Sequence, residues 1–318
     1  MSKTLLVWLT IGFAQITGAK SLCVADSVAR VVEEYNGVSY TVRLQKDRAG
    51  NPTGYHAHIF TPVCEDNLCK PVYIDFCWDL LGNYQRYQVP TDQPLTKLDH
   101  VVFTAEEYDR LHEILQDPES LLKDYKIEEL AQSTANVRSG GEVDAVTGAT
   151  AKSLQAVVIP GALYTCYTLW HIAHGRVRDT ITSITDSLMS PALLSFFLTS
   201  GNFRYQHYAV DRLIDEKGNV NAKFEQGVVD LIGSSNIFLA QRVLKAIEPR
   251  YLYDAERQRW LGQLFVNANY RLQLAMLEKL KGIPLKQDLR DVLEKHRRDF
   301  NEEIAIKIEQ LLKNKNYE

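Results

Sequence analysis

The chain has 318 residues, of which 45% are hydrophobic and 24% are charged. This composition is typical of a globular protein and excludes disordered and low-complexity classes, and the length favours about two domains. Lys and Arg total 36 against 40 Asp and Glu, a net charge of −4, so no overall positive field favours nucleic acid as a partner. The five cysteines are too few for a disulfide-dense scaffold.

The first segment has the pattern of an export signal. Lys3 precedes an apolar run from Leu5 to Ala14, and Thr17-Gly18-Ala19 offers small residues for cleavage after Ala19. The run is too short to cross a bilayer comfortably, and no later stretch is both long and uncharged enough to do so. The alternative is a buried first helix of the fold. We therefore expect a signal peptide at 1–19 and an exported protein, periplasmic or extracytoplasmic, with no transmembrane segment in the mature chain.

Two segments that resemble β-strands flank a short turn. Tyr55–Thr61 and Val72–Trp78 are rich in β-branched and aromatic residues, which favours strands. Cys64 and Cys69 bracket the turn between them, and export permits a disulfide. We expect a β-hairpin whose loop is closed by a disulfide between these two residues. The alternative, a redox-active dithiol, has a spacing unlike the C-x-x-C of oxidoreductases.

The rest of the first hundred or so residues mixes strand, turn and helix signals. Gly37–Leu44 alternates as a strand does, and Asp47–Gly54 has the composition of a turn. Thr104 and Glu107 have the spacing of a capping box, so a helix is predicted to begin after Thr104. A second helix is predicted near Ser120–Leu130.

Chemistry is concentrated in the segment Asp144–Thr150. A glycine between two hydroxyl residues permits a tight turn, and Ala151–Val158 is predicted to begin a helix. A loop that leads into a helix N-terminus is suited to a phosphate group, and Lys152 could add a positive charge there. The alternative from spacing alone is that Thr147 or Thr150 is simply a helix N-cap.

The string Asp144-Ala145-Val146-Thr147-Gly148-Ala149-Thr150 resembles the flavinylation pattern Asp-x-x-(Ser/Thr)-Gly-Ala-(Thr/Ser) at every position. That pattern belongs to FMN-binding domains similar to those of sodium-pumping NADH:quinone reductase and Rnf electron-transfer complexes. In that family an FAD:protein FMN transferase moves the FMN part of FAD onto the last threonine as a phosphoester.

The resemblance implies that FMN is attached covalently to Thr150. It also implies that the transferase recognises Asp144, Thr147, Gly148 and Ala149. It extends to Ser153, so Lys152 and Ser153 are included among the expected cofactor-binding residues. No separate catalytic residue is expected, and an electron-transfer protein or redox subunit is favoured over a stand-alone enzyme.

This chain also departs from the members found in membrane complexes. Those proteins retain an N-terminal membrane helix and lack a helical half such as 176–318. The resemblance therefore implies an electron carrier in an exported redox chain, with redox partner proteins that the sequence does not identify, rather than a sodium pump. Its fold is expected to be an FMN-binding α+β domain at 20–175.

Helical periodicity dominates from residue 176 onward. Ala209, Ala240, Ala275 and Ala305 recur at intervals similar to those of helical-repeat arrays. We expect an all-α domain at 176–318, either HEAT-like or an irregular helical bundle. The overall fold class is then α+β followed by all-α. The alternative function is a non-redox binding or scaffold protein that uses its helical repeats.

The segment that follows the motif is rich in aromatic and histidine side chains. Tyr164, Tyr167 and Trp170 could pack on a flavin ring, although the hydrophobic core is the expected role. His171 and His174 lie three residues apart on a predicted helix, as two metal ligands would. No carboxylate or cysteine stands at a matching offset, so no metal site is expected.

Overall fold

The computed structural model describes residues 28–34, 37–63, 70–97, 100–126 and 157–313. Contacts within the chain divide it into two compact units, Met1–Ser187 and Leu188–Glu318. The first contains an antiparallel sheet with helices, and the described part of the second contains helices and 3-10 turns, with one isolated bridge. The expected layout of α+β followed by all-α is confirmed at this level.

The first unit is built on a five-stranded antiparallel meander in which each strand pairs with the next along the chain. Its strands are β1 (Ala29–Glu33), β2 (Ser39–Lys46), β3 (Pro52–Thr61), β4 (Val72–Trp78) and β5 (Tyr84–Gln88). Side chains alternate between the two faces, so that Val42, Tyr55 and Phe76 are fully buried on the core face. The predicted hairpin is confirmed, since β3 pairs with β4 from Tyr55 opposite Trp78 to Thr61 opposite Val72.

Three α-helices of the described residues complete this unit: α1 (Ala105–Gln116), α2 (Leu163–His174) and α3 (Arg176–Ser187). The capping box predicted before α1 is present, because the Thr104 hydroxyl accepts from the Glu107 amide and the Glu107 carboxylate accepts from the Thr104 amide. The helix predicted at Ser120–Leu130 is, in its described part, a single 3-10 turn at Leu121–Lys123. The Ser120 hydroxyl caps this turn by accepting from the Leu122 amide.

Helices α2 and α3 pack on the core face of the sheet through buried polar contacts as well as apolar ones. The Trp78 indole donates to the Ala173 carbonyl at 2.9 Å. The Thr185 hydroxyl donates to the Leu80 carbonyl at 2.7 Å and lies 2.9 Å from the Tyr55 hydroxyl. These contacts place α3 in the first unit. The division between units therefore lies one helix after the expected junction of residues 175 and 176.

The described part of the second unit is built from helices joined by turns and 3-10 segments. The helices are α4 (Pro191–Thr199), α5 (Phe203–Leu213), α6 (Glu225–Asp230), α7 (Ile237–Ala246), α8 (Ala255–Asn267), α9 (Tyr270–Leu280), α10 (Gln287–His296) and α11 (Glu302–Lys313). The 3-10 turns are Ala222–Phe224, Leu231–Gly233, Pro249–Leu252 and Arg297–Asp299. No helix in the described ranges has the length and apolar character needed to cross a membrane.

An asparagine caps every second helix of this unit. The Asn202, Asn236, Asn269 and Asn301 side chains each accept from a backbone amide in the first turn of α5, α7, α9 and α11 respectively. These four helices contact one another in chain order, α5 with α7, α7 with α9, and α9 with α11. The alanine positions expected to mark the repeat are less uniform: Ala209 and Ala240 are buried, whereas Ala275 and Ala305 are half-buried.

Helices α7 and α9 lie side by side and run in the same direction. The Gln241 amide in the middle of α7 donates to the Arg271 carbonyl at the start of α9, at 3.1 Å. Further along both helices, the Lys279 ammonium near the end of α9 donates to the Ile247 carbonyl just after α7. The two contacts advance in the same direction along both helices, so α7 and α9 are parallel and their N-termini lie at the same edge of the stack. Helix α5 also runs this way, because Asp211 near its end pairs with Arg242 in the second half of α7, and the Gly218 carbonyl beyond its end accepts from the Glu248 amide beyond the end of α7.

Candidate functional site

The residues of the predicted flavin site all lie outside the described ranges: Asp144, Thr147, Gly148, Ala149, Thr150, Lys152 and Ser153. The same is true of the predicted signal peptide at 1–19 and of Cys64 and Cys69. Flavin attachment and the disulfide therefore stay predictions. The structure does describe residues 100–126 and 157–313, which lie on either side of the motif in the sequence.

Four side chains of α2 donate to backbone carbonyls at the end of α1 and in the segment that follows it. The Trp170 indole donates to the Asp117 carbonyl at 2.8 Å, and the His174 ring donates to the Leu115 carbonyl at 2.9 Å. The Tyr167 hydroxyl donates to the Tyr125 carbonyl at 3.2 Å, and the His171 ring donates to the Leu122 carbonyl at 3.1 Å. Tyr125, just before the range 127–156, is therefore bound to α2, and the chain that follows this range begins α2 six residues after Val157.

These bonds also decide the role of the two histidines. Burial lowers the pKa of both His171 and His174, and each ring uses Nε2–H to hold a carbonyl. A neutral ring engaged in this way has a structural role. Within the described residues, no group of three His, Cys, Asp or Glu side chains is arranged to hold a metal ion. Trp170 is buried, as its expected core role requires.

A groove lies between the end of β5 and helix α1, with a cavity volume of about 540 Å³. We refer to it as the β5–α1 groove. Its walls include Arg86, Tyr87, Pro90, Pro94, Tyr108 and His112. Its size is in the range of small-molecule sites, which run from about 300 to 1,000 Å³. The lining combines aromatic and proline surfaces with two charged side chains, those of Arg86 and Asp109.

Hydrogen bonds hold the aromatic walls of the groove in place. The Tyr87 hydroxyl donates to the Tyr108 carbonyl at 2.8 Å, and the Tyr108 hydroxyl accepts from the Leu95 amide at 2.9 Å. The His112 ring lies 2.8 Å from the Tyr84 hydroxyl through its Nδ1. Burial raises the pKa of Tyr84 and of Tyr87 well above the ordinary value, so both hydroxyls stay protonated at neutral pH. These bonds hold the aromatic rings that line the groove in defined positions.

The groove is connected to the point where the described chain resumes. Gly161 packs against the side chain of Lys97, and the Lys97 ammonium pairs with the Glu107 carboxylate at 2.7 Å. Glu107 directly precedes Tyr108, which lines the groove. Sequence reasoning missed this site because Tyr87, Tyr108 and His112 read locally as ordinary strand and helix residues. No spacing signal links β5 to α1.

A second cluster of titratable side chains lies on the other face of the sheet. His56 stands opposite Cys77, and His58 stands opposite Asp75, with which its ring forms an ion pair. Burial is the main cause that lowers the pKa of His56, and neighbouring His58 adds to it. These side chains form no three-ligand metal arrangement, so they do not define a second candidate centre.

Comparison of the chain with protein-family models, with curated proteins and with solved structures gave no match.

Proposed function

We propose that this protein is an exported flavoprotein electron carrier with FMN attached to Thr150. The observation that carries the proposal is the string Asp144–Thr150, which meets the flavinylation pattern at all of its defined positions. The export signal expected at 1–19 supports it, because a covalent bond keeps a cofactor on a protein that works outside the cytoplasm. The partners implied are an FAD:protein FMN transferase and redox proteins that exchange electrons with the flavin.

The attachment step is a phosphoryl-group transfer. The Thr150 hydroxyl oxygen attacks the phosphorus of the FMN half of FAD and forms a phosphoester. The pyrophosphate bond of FAD breaks, AMP leaves with the bridging oxygen, and the hydroxyl proton passes to a base of the transferase. A serine supplies the same oxygen and a valine supplies none. When bound, the flavin provides one- or two-electron transfer, and the protein provides position and electrostatics.

The flavin ring is proposed to lie in the β5–α1 groove. Thr150 stands seven residues before Val157, where the described chain resumes. Extended chain covers about 3.6 Å per residue, which limits that separation to about 25 Å. Gly161, four residues further on, is connected to the groove through Lys97 and Glu107. Tyr87, Tyr108 and the two prolines offer flat surfaces to a planar ring.

Arg86 supplies the positive charge of the groove, whereas Asp109 supplies a negative one. The Arg86 guanidinium group lines the groove, where it would favour the anionic reduced ring over the neutral oxidised ring. We expect Arg86→Gln to leave covalent attachment intact and to make the flavin midpoint potential more negative. Arg48→Gln, which changes an exposed arginine in the β2–β3 turn, is the matched control. An unchanged potential in Arg86→Gln would remove the ring from this groove without affecting attachment at Thr150.

The attachment itself is tested by producing the full chain together with a flavin transferase. After denaturation and gel filtration, wild type and Thr150→Ser are expected to keep flavin absorbance and an FMN increment in the intact mass. Thr150→Val is expected to lose both. An FMN adduct on Thr150→Val would show that another residue is the acceptor. A wild-type protein that never acquires flavin would contradict the proposal.

A second candidate function is a binding or scaffold protein without redox chemistry. The four helices capped by asparagine favour this function, because their caps at residues 202, 236, 269 and 301 recur at intervals typical of helical-repeat arrays. We infer that α5, α7, α9 and α11 are the first helices of successive repeats. Such arrays commonly present extended binding surfaces. The flavin assay above separates the two candidates.

A further inference from the structure

We propose that the aligned N-terminal ends of α5, α7 and α9 form a docking surface for an acidic peptide segment of a partner protein. We call this surface the N-terminal ridge and define it by Phe203, Arg204, Phe238, Tyr270 and Arg271. The inference concerns the second unit alone. Because its test uses protein without flavin, its outcome does not depend on flavin attachment.

An exposed aromatic side chain stands in the first turn of each of the three ridge helices. Phe203 and Tyr270 directly follow the caps Asn202 and Asn269, and Phe238 stands two residues after Asn236. Their exposed fractions are 39%, 42% and 65% respectively. Core packing does not account for large apolar side chains repeated at one edge of stacked helices. Their recurrence at one edge distinguishes them from apolar residues scattered singly over a surface, which need no partner.

The charge of the ridge is positive. Arg204 and Arg271 stand two residues after their caps and are exposed, and among the described residues neither guanidinium has an ion-pair partner. Helices α5, α7 and α9 carry no acidic residue in the first turn. An acidic residue there would stabilise each helix by about 0.3–1 kcal/mol through the helix dipole. Helices α5, α7 and α9 therefore lack this stabilisation at their N-termini.

The neighbouring helices show the contrast. The first turn of α8 contains Glu256, that of α10 contains Asp288, and that of α11 contains Glu302 and Glu303. The acidic start of α11 lies next to the ridge, since the Tyr270 hydroxyl donates to the Glu303 carboxylate. The positive surface is therefore limited to three helix ends and has a negative border.

This shape favours a narrow acidic segment over an anionic membrane. A flat membrane surface would meet the carboxylates of Glu302 and Glu303 together with the arginines, whereas a single peptide chain can follow the three ends alone. Packed helices stand about 8–10 Å apart. A polyproline II segment places every third side chain on one face at intervals of about 9.3 Å, which matches that spacing. We therefore expect apolar side chains at every third position to meet the three aromatics, with carboxylates beside the arginines.

The test uses the purified full chain and a fluorescein-labelled peptide of five Leu-Pro-Glu triplets, with binding followed by fluorescence anisotropy. Phe238→Ala and Arg271→Gln are each expected to weaken binding about tenfold, as loss of an interface anchor does. Tyr253→Ala, at a 43% exposed aromatic outside the ridge, and Arg298→Gln, at an exposed arginine outside it, are the matched controls and should bind as wild type does. Raising the salt concentration should weaken binding further.

Asn236→Asp provides a variant that keeps the fold and reverses the local charge. Aspartate caps a helix as well as asparagine does and adds a negative charge at the N-terminus of α7. It should therefore unfold no more easily than wild type and yet bind the acidic peptide several-fold more weakly.

Three results would overturn the proposal. One is equal binding of a charge-reversed peptide of Leu-Pro-Lys triplets. Another is a ridge variant that binds as tightly as its control. The third is association with vesicles of equal phosphatidylglycerol and phosphatidylcholine in the absence of peptide binding, which would assign the ridge to a membrane surface.

Discussion

Glu34 is the buried carboxylate that joins the sheet to the junction of helices α2 and α3, and its removal should destabilise the first unit. Its Oε1 accepts from the Tyr40 hydroxyl at 2.6 Å, and its Oε2 accepts from the Arg176 backbone amide at 3.2 Å. The contact with the junction is close, because a Cβ placed on Gly175 would lie 2.6 Å from Oε2. Burial beside this carboxylate also raises the pKa of Tyr40, so its hydroxyl remains a donor.

The magnitude follows from the two donors. Glu34→Ala leaves the buried Tyr40 hydroxyl and the Arg176 amide without an acceptor, and each unsatisfied donor costs about 1–3 kcal/mol. We therefore expect a loss of about 2–6 kcal/mol in the free energy of unfolding of the first unit. Glu34→Gln keeps one acceptor oxygen of the same shape and should lose about half as much.

Urea unfolding combined with hydrogen exchange read by mass spectrometry measures this loss. The chain has two units, so exchange of peptides from β1 and α3 identifies the transition that belongs to the first. Those peptides should exchange faster in Glu34→Ala, while peptides from α9 should be unchanged. A Glu34→Ala protein within about 0.5 kcal/mol of wild type would refute the argument that this carboxylate satisfies one buried and one partly buried donor.

Three further outcomes are expected. Burial lowers the pKa of His171 and His174, so below about pH 6.5 the unfolded chain binds protons that the folded chain does not. The urea midpoint of the first unit should therefore fall between pH 7.5 and 5.5, and should fall less when both are changed to Gln. An equal fall in that variant would contradict this assignment. Asn236→Ala, which removes the cap of α7, should cost about 1 kcal/mol in the second unit by urea unfolding, and no loss would mean that the cap is dispensable. Burial raises the pKa of the Cys166 thiol to about 12, so iodoacetamide at pH 8 should modify it in urea and leave it intact in the folded protein. Rapid labelling of the folded protein would contradict its burial.

Local signals in the sequence predicted the elements that local chemistry determines. The Thr104–Glu107 capping box and the β3–β4 hairpin are set by residues only a few positions apart, and both are confirmed. The 3-10 turn at Leu121–Lys123 differs from the predicted helix at its described residues. Ser120 supplies a good cap, but side chains of α2 bind carbonyls before, within and after the turn, contacts that no local pattern contains.

Other features depend on contacts that sequence patterns do not carry. The amphipathic pattern of α3 shows that one face is buried but not that its partner is the sheet. The ridge aromatics Phe203, Phe238 and Tyr270 are of residue types that usually pack in a core, and only the structure reveals their exposure. The flavin attachment motif Asp144–Thr150 is instead a local sequence pattern, and the structure describes only the residues on either side of it.

The place of α3 leads to a prediction about the smallest chain that can accept flavin. Val177, Ile181 and Ile184 on α3 are buried to 1% exposure or less. Burying each such side chain contributes about 1.5–3 kcal/mol, so loss of the helix removes about 5–9 kcal/mol. The stability of a whole domain is typically about 5–15 kcal/mol. A chain that ends at Gly175 should therefore be largely unfolded, whereas one that ends at Ser187 should keep its fold.

Both truncated chains retain the complete motif Asp144–Thr150, so they differ only in α3. Circular dichroism and thermal unfolding should show a cooperative transition for the chain that ends at Ser187 and none for the chain that ends at Gly175. Produced with the transferase, the longer chain should acquire covalent flavin. Equal thermal stability of the two would show that α3 contributes little to the first unit and would return the boundary to the Gly175–Arg176 junction. A folded longer chain that takes up no flavin, where the full chain does, would instead show that flavin attachment requires the second unit.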